Sequence, residues 1–236
     1  QTQIGCWKNV IENIKNKFNE PSSLSTNQSL ESEISTLIKL FNKRSYNQVI
    51  EKGKQVLSYF NKSHMIANII GAAYLKIKDF DNALFYHEKT IDLNHKFYEG
   101  YYNLAYTYWR LGQLDLAEKN GLKAINLKPK YSHAYNVLGS IYEEKFKINK
   151  ALKSYKKAIH FDNTNLTPKY NLSLMYLHNG NFKLAWKHFE SRWKILNVLD
   201  KVNELSGERW NPYSTSKSVI IWPEQGIGDF ILMSRF

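Results

Sequence analysis

The chain has 236 residues, 43% of them hydrophobic and 23% charged, which is the balance of a folded protein rather than a disordered one. Its single cysteine, Cys6, excludes an internal disulfide and a cysteine-based zinc cluster, and no apolar run reaches the ~18–20 residues of a membrane span. The net charge of +12 is spread along the whole chain with abundant Asn and Ile, so it reads as compositional bias, and no specific nucleic-acid partner is expected.

Residues 1–29 are expected to form an N-terminal helix and a linker. Trp7, Val10, Ile11, Ile14 and Phe18 have the spacing of an amphipathic helix that would cap an array, and a partly disordered leader is the alternative. Ile4-Gly5-Cys6 has no hydrophobic stretch before it in this sequence, so no lipoprotein site is expected there. The absence of a signal-like segment gives a cytoplasmic expectation. The stretch 20–32, EPSSLSTNQSLES, reads as a polar, Ser-rich linker.

Residues 30–199 repeat themselves with a period of 34. Tyr74, Tyr108, Tyr142 and Tyr176 form one column, and Ala83, Ala117, Ala151 and Ala185 another. Small residues recur at Gly71, Ala105, Gly139 and Ser173, and apolar ones at Ile70, Leu104, Leu138 and Leu172. Within each unit the apolar spacing is helical in two blocks, separated by turns such as Leu111-Gly112-Gln113 and Asn179-Gly180-Asn181. Each unit is therefore a helical hairpin. The small residues let two helices approach closely, with a large ring filling the neighbouring space. One hairpin cannot bury its own apolar face, so the units must stack.

These columns resemble the tetratricopeptide repeat family. Its pattern is nearly complete in Tyr135, Leu138, Gly139, Tyr142, Ala151, Tyr155 and Ala158. The preceding unit carries Tyr101, Leu104, Ala105, Tyr108, Ala117, Ala124 and Pro129, but has Gly121 where an aromatic is usual. The register gives units at about 64–97, 98–131, 132–165 and 166–199, with a degenerate fifth at 30–63 that keeps Leu37, Leu40, Val49 and Val56. The expected fold is thus all-α, a superhelical solenoid of four clear repeats plus one degenerate.

The resemblance implies that the first helix of each hairpin lines a concave face that meets an extended peptide or protein partner. The corresponding positions are Asn68, Tyr102, Asn136 and Tyr170, then Tyr106, Trp109, Arg110 and His178. Amides pair with a peptide backbone without reading its sequence, and rings supply contact area at low entropy cost. Asn103 and Asn171 match the asparagine that forms a ladder along the groove in nucleocytoplasmic sugar-transferring relatives. Asn68 and Asn136 sit one position earlier, which departs from a regular ladder. The competing use of each residue is ordinary packing between repeats. The column Lys76, Arg110, Glu144 and His178 contains an acid, which argues against the carboxylate clamp of co-chaperone-type repeats.

The last hairpin is richer in aromatics, Ala185-Trp186-Lys187-His188-Phe189-Glu190-Ser191-Arg192-Trp193, and a polar connector at 200–217 carries Arg209-Trp210. Residues 218–236 then read as strand, loop and helix: Val219 to Trp222, the turn Glu224-Gln225-Gly226-Ile227-Gly228-Asp229, and an apolar run from Phe230. This order resembles a bacterial family of tetratricopeptide proteins with a C-terminal heptosyltransferase-like (GT-B) domain. The resemblance implies that 218–236 begin an α/β glycosyltransferase domain left incomplete at Phe236. It makes Gln225, Gly226 and Gly228 a loop for a sugar nucleotide or acceptor, and Asp229 the general base in a complete protein. An alternative role for Asp229 is capping the following helix. Trp193 and Trp210 are expected to pack where the solenoid meets that domain. The chain alone is expected to bind protein, to use no cofactor and not to catalyse. The alternative is a non-catalytic interaction scaffold with a degenerate C-terminal domain.

Overall fold

The computed structural model describes residues 24–189 and 191–195, and their regular structure is entirely helical. In chain order the helices are α1 (Leu24–Asn42), α2 (Tyr46–Tyr59), α3 (His64–Lys76), α4 (Phe80–Leu93), α5 (Tyr98–Arg110), α6 (Leu114–Leu127), α7 (Ser132–Glu144), α8 (Ile148–Phe161), α9 (Leu166–His178), α10 (Phe182–Phe189) and α11 (Arg192–Ile195). From α3 onward, the first helices of the hairpins start at His64, Tyr98, Ser132 and Leu166, one 34-residue period apart. The all-α solenoid expected from the columns is what the chain forms. The stretch expected as linker contributes Leu24 onward to α1, so the degenerate first hairpin has a longer leading helix than the others. The expected N-terminal amphipathic helix, Trp210 and the strand and loop of 218–236 all lie outside the described residues.

Packing within a hairpin follows the small-residue column. A Cβ placed on Gly139 would lie 2.4 Å from Tyr155 Cε1, and one on Gly71 would lie 2.4 Å from His87 Cδ2. In these two repeats the large residue of the second helix, His87 or Tyr155, therefore sits directly on the bare backbone of the first. The second repeat inverts this arrangement at Gly121, where a Cβ would meet Leu138 Cδ2 at 2.8 Å. The aromatic usual at that position is replaced by a leucine reaching back from the next repeat. The alanine column, Ala83, Ala117, Ala151 and Ala185, is fully buried at the same hairpin contacts.

The tyrosine column staples each hairpin to the second helix before it. Lys54 Nζ lies 5.3 Å over the Tyr74 ring and Lys156 Nζ lies 6.0 Å over Tyr176, while the Tyr108 hydroxyl donates to Glu88 at 2.9 Å. Burial first, and then the Glu88 and Glu118 carboxylates beside them, push the Tyr108 and Tyr142 phenols up to about 12. Both remain neutral hydrogen-bond donors at physiological pH.

Each hairpin turn has one residue with left-handed backbone, and these also fall one period apart. They are Arg44 (φ 62°), Lys78 (φ 64°), Gly112 (φ 73°), Phe146 (φ 55°) and Gly180 (φ 70°). The surrounding bonds are those of a Schellman cap: Gly112 N donates to Trp109 O at 3.0 Å and Gln113 N to Tyr108 O at 2.9 Å, and the other turns repeat the pattern. Glycine was legible at 112 and 180. At 44, 78 and 146 an L-residue is held in a region that its Cβ disfavours.

The apolar interior forms two clusters, one running from Ile34 to Ala83 and the other from Tyr102 to Ala185. Between them, around α4 and α5, lies a layer of buried polar side chains: Asn68, His87, Thr90, Asn103 and Thr107. The Thr107 hydroxyl donates to Asn103 O at 2.8 Å, so its oxygen accepts from His87 Nδ1 at 3.0 Å. His87 is thereby the Nδ1–H tautomer, and its Nε2 is buried against Gly71 with no hydrogen-bond partner. Burial lowers its pKa to about 3, so it is neutral throughout the physiological range.

Candidate peptide-binding groove

Successive first helices α5, α7 and α9 border a groove of about 510 Å³. Helix α5 contributes Tyr102, Tyr106 and Trp109, which recur on one face because their spacing is helical. Helix α7 contributes His133, Asn136, Val137, Ser140, Glu143 and Glu144. Helix α9 and its start contribute Asn165, Thr167, Asn171 and Leu174. Tyr155 of α8 closes the floor, and Phe146, left-handed and 87% exposed, lies on the rim.

Contacts across the groove join residues 35 apart rather than 34. Asn171 Nδ2 donates to Asn136 Oδ1 at 3.2 Å, and the Trp109 indole donates to Glu144 Oε1 at 2.7 Å. Asn103 Nδ2 donates to Asn68 Oδ1 at 2.7 Å in the same geometry one step earlier. Adjacent first helices are thus offset by one residue where they face each other. The asparagines that departed from a regular ladder in the sequence are the acceptors of two asparagine pairs.

Five of the anticipated contact residues come together here: Tyr102, Tyr106, Trp109, Asn136 and Asn171. Asn68 and Asn103 do not join them. They are buried and spend their hydrogen bond on each other. Arg110 lies 5.2 Å over the Phe80 ring and donates to the Tyr106 hydroxyl at 3.4 Å, which turns it toward the preceding repeat. Tyr170 stacks on Phe189 at 6.3 Å within its own hairpin. Gln225, Gly226, Gly228 and Asp229 lie outside the described residues, as does any contact of Trp193 or Trp210 with a following domain.

Tyr106 meets Trp109 edge-on at 5.4 Å, and Tyr102 packs edge-on against Tyr131 at 5.5 Å, so the aromatic wall is braced from behind. Tyr155 donates its hydroxyl to Glu143 Oε2 at 2.9 Å and lies 3.1 Å from Ser140 Oγ. Burial first, and then the negative charge of Glu143, drive its phenol far above the usual range. The groove therefore offers aromatic area, amides, hydroxyls and two carboxylates. No group of three or more potential metal ligands exists among the described residues.

His133, Ser140, Glu143, Phe146, Asn165 and Thr167 belong to the groove and were not anticipated from the sequence. Glu143 and Ser140 follow Asn136 on one helical face, a spacing that could have found them. Phe146 sits at the turn position one period after Gly112 but carries no glycine, and Asn165 is set by the helix start, which no column marks.

Residues 98–131 and 132–165 each match the tetratricopeptide repeat family, with the same boundaries as the ladder in the sequence. The chain is similar to BBSome complex member BBS4 of Bos taurus, 34% identical over 96 residues, which is 41% of this chain and 18% of that protein. It thus spans less than a fifth of that curated relative. Among solved structures, a thermophilic TPR protein of Thermus thermophilus superposes with a TM-score of 0.64 at 18% identity, covering 74% of this chain and 97% of that one. MamA from Desulfovibrio magneticus RS-1 superposes with a TM-score of 0.58 at 17% identity, covering 72% and 96%. These structural likenesses establish the solenoid fold.

Proposed function

We propose that this tetratricopeptide solenoid is a protein-interaction module whose groove between α5, α7 and α9 holds an extended segment of a partner protein. One observation carries the reading: aromatic rings and half-buried amides from three successive repeats line a single groove of about 510 Å³. Rings give area at low entropy cost, and Asn136 and Asn171 retain hydrogen-bonding capacity beyond the one bond they share. Peptides selected by display on the full chain test this. Trp109→Ala combined with Asn136→Ala lowers the affinity of selected peptides about tenfold or more, and Phe85→Ala on the exposed outer face leaves it unchanged. Selected peptides indifferent to the groove substitutions refute the assignment.

A second reading concerns the protein of which the solenoid is part. The order of Trp186, Phe189, Arg192-Trp193, Arg209-Trp210 and Glu224-Gln225-Gly226-Ile227-Gly228-Asp229 favours a solenoid preceding a heptosyltransferase-like domain in a bacterial, cytoplasmic glycosyltransferase. There the solenoid presents the acceptor or partner. Gln225, Gly226 and Gly228 border a sugar nucleotide, and Asp229 takes the acceptor proton. A coding sequence that continues past Phe236 with alternating strand and helix patterns supports this reading, and a native stop codon there refutes it.

A further inference from the structure

The charge of the groove is opposite in sign to that of the chain. Glu143 and Glu144 are the last two residues of α7, where the negative end of the helix dipole disfavours a carboxylate. Each accepts a hydrogen bond from a neutral donor only, Tyr155 for Glu143 and Trp109 for Glu144. Neither makes an ion pair among the described residues.

The lysines nearest in sequence are held elsewhere, and Arg110 is engaged by Phe80 and the Tyr106 hydroxyl. Lys145 Nζ bonds Asp115 at 2.7 Å and also Glu118, both on α6. Lys147 Nζ lies 3.7 Å from the same Glu118, and Arg110 stacks on Phe80. Two negative charges, one half-buried at Glu143 and one exposed at Glu144, are left at the groove of a chain of net charge +12. The fold separates these carboxylates from its own lysines, and Trp109 and Tyr106 stand beside them.

We propose that the groove recognises its peptide through an arginine side chain, whose guanidinium lies against Trp109 and Tyr106 and pairs with Glu143 and Glu144. The inference rests on the groove being a peptide site. Arginine fits better than lysine because its planar fork pairs with carboxylates in two directions and stacks on rings, whereas an ammonium is compact and strongly hydrated. Asn136 and Asn171 then serve the peptide backbone beside it.

The test measures fluorescence anisotropy of the full chain at physiological salt, where long-range repulsion from its other charges is screened. The probes are labelled Gly/Ser/Asn-rich peptides with one central arginine, together with its neutral isostere citrulline, lysine or glutamate. The arginine peptide is expected to bind about tenfold or more tightly than the citrulline peptide, as a charge-assisted hydrogen bond gives. Glu143→Gln with Glu144→Gln abolishes that preference, so that arginine and citrulline peptides bind alike. Equal binding of arginine and citrulline peptides, tighter binding of the glutamate peptide, or an arginine preference that survives the double substitution each overturn the proposal. If display yields groove-dependent peptides without arginine, only this inference fails. If display yields none, the groove reading fails with it.

Discussion

The column of left-handed turn residues gives a prediction of opposite sign at two equivalent positions. A Cβ on Gly112 or Gly180 meets nothing within 4 Å, so Gly112→Ala changes only backbone conformational preference. An L-residue in the left-handed region costs about 1–2 kcal/mol. Alanine narrows the unfolded ensemble and returns about 0.4–1 kcal/mol. The net loss for Gly112→Ala is therefore about 0.5–1 kcal/mol. Phe146 is the reverse case, at φ 55° with its side chain 87% exposed. Phe146→Gly removes about 1–2 kcal/mol of conformational strain, offset by about 0.5–1 kcal/mol of glycine entropy and a few tenths of lost contact. It is expected to stabilise by about 0.5 kcal/mol. For a chain of this size, 1 kcal/mol moves the melting midpoint by about 2–4 °C. Far-UV circular dichroism then places the two variants on opposite sides of the wild type, with Gly180→Ala beside Gly112→Ala. If Phe146→Gly melts lower than the wild type, the strain argument is refuted.

Three further outcomes follow from the packing. Gly139→Ala forces a methyl to within 2.4 Å of Tyr155 Cε1 and is expected to cost about 1–3 kcal/mol in urea unfolding. Tyr155→Leu in the same chain recovers part of that loss, and strict additivity contradicts the contact. Asn103→Ala strips the buried Asn68 Oδ1 of its donor and is expected to cost about 1–3 kcal/mol, whereas Asn171→Ala, in the half-buried pair, costs less. Equal losses contradict that ranking. His87 contributes a pH dependence: with the folded pKa near 3 and the unfolded one near 6.5, the unfolded chain binds the extra proton between them. Native stability is then fully present above pH 6.5 and falls by up to about 1.4 kcal/mol per pH unit on acidification towards 3. His87→Leu flattens that slope, and parallel pH profiles for the two proteins refute the account.

Much of the fold was legible because a stacked hairpin repeats its contacts, so Gly139, Tyr142 and Ala151 recur wherever the same neighbours recur. The period even marked the helix starts at Tyr98 and Ser132. The groove was legible only in part. Columns register positions at 34, whereas facing helices touch at 35, so the Asn68–Asn103 and Trp109–Glu144 pairs cross between columns. Tyr170 and Arg110, also on first helices, instead turn to second helices, to Phe189 of the same hairpin and Phe80 of the preceding one. Glu144 argues against a carboxylate clamp and the spacing from Asn136 marks Glu143 as groove-facing, but that the two acids are met only by Tyr155 and Trp109 is visible only in the structure. The left-handed residues Arg44, Lys78 and Phe146 carry no glycine and so left no mark.

The polar layer around His87 bears on how the solenoid comes apart. Neighbouring repeats elsewhere are joined by shared apolar burial, which is non-directional and tolerates small displacements. Around α4 and α5 apolar contact through Tyr106 and Ile91 is supplemented by directional bonds, Asn103 of α5 to Asn68 of α3 and His87 of α4 to Thr107 of α5, with one ring nitrogen left unsatisfied. Directional bonds fail abruptly when helices shift, so the array is expected to part first at this joint, into two cooperative blocks. Amide hydrogen exchange would then show two protection levels meeting near residue 100, and acid would sever the blocks before melting either.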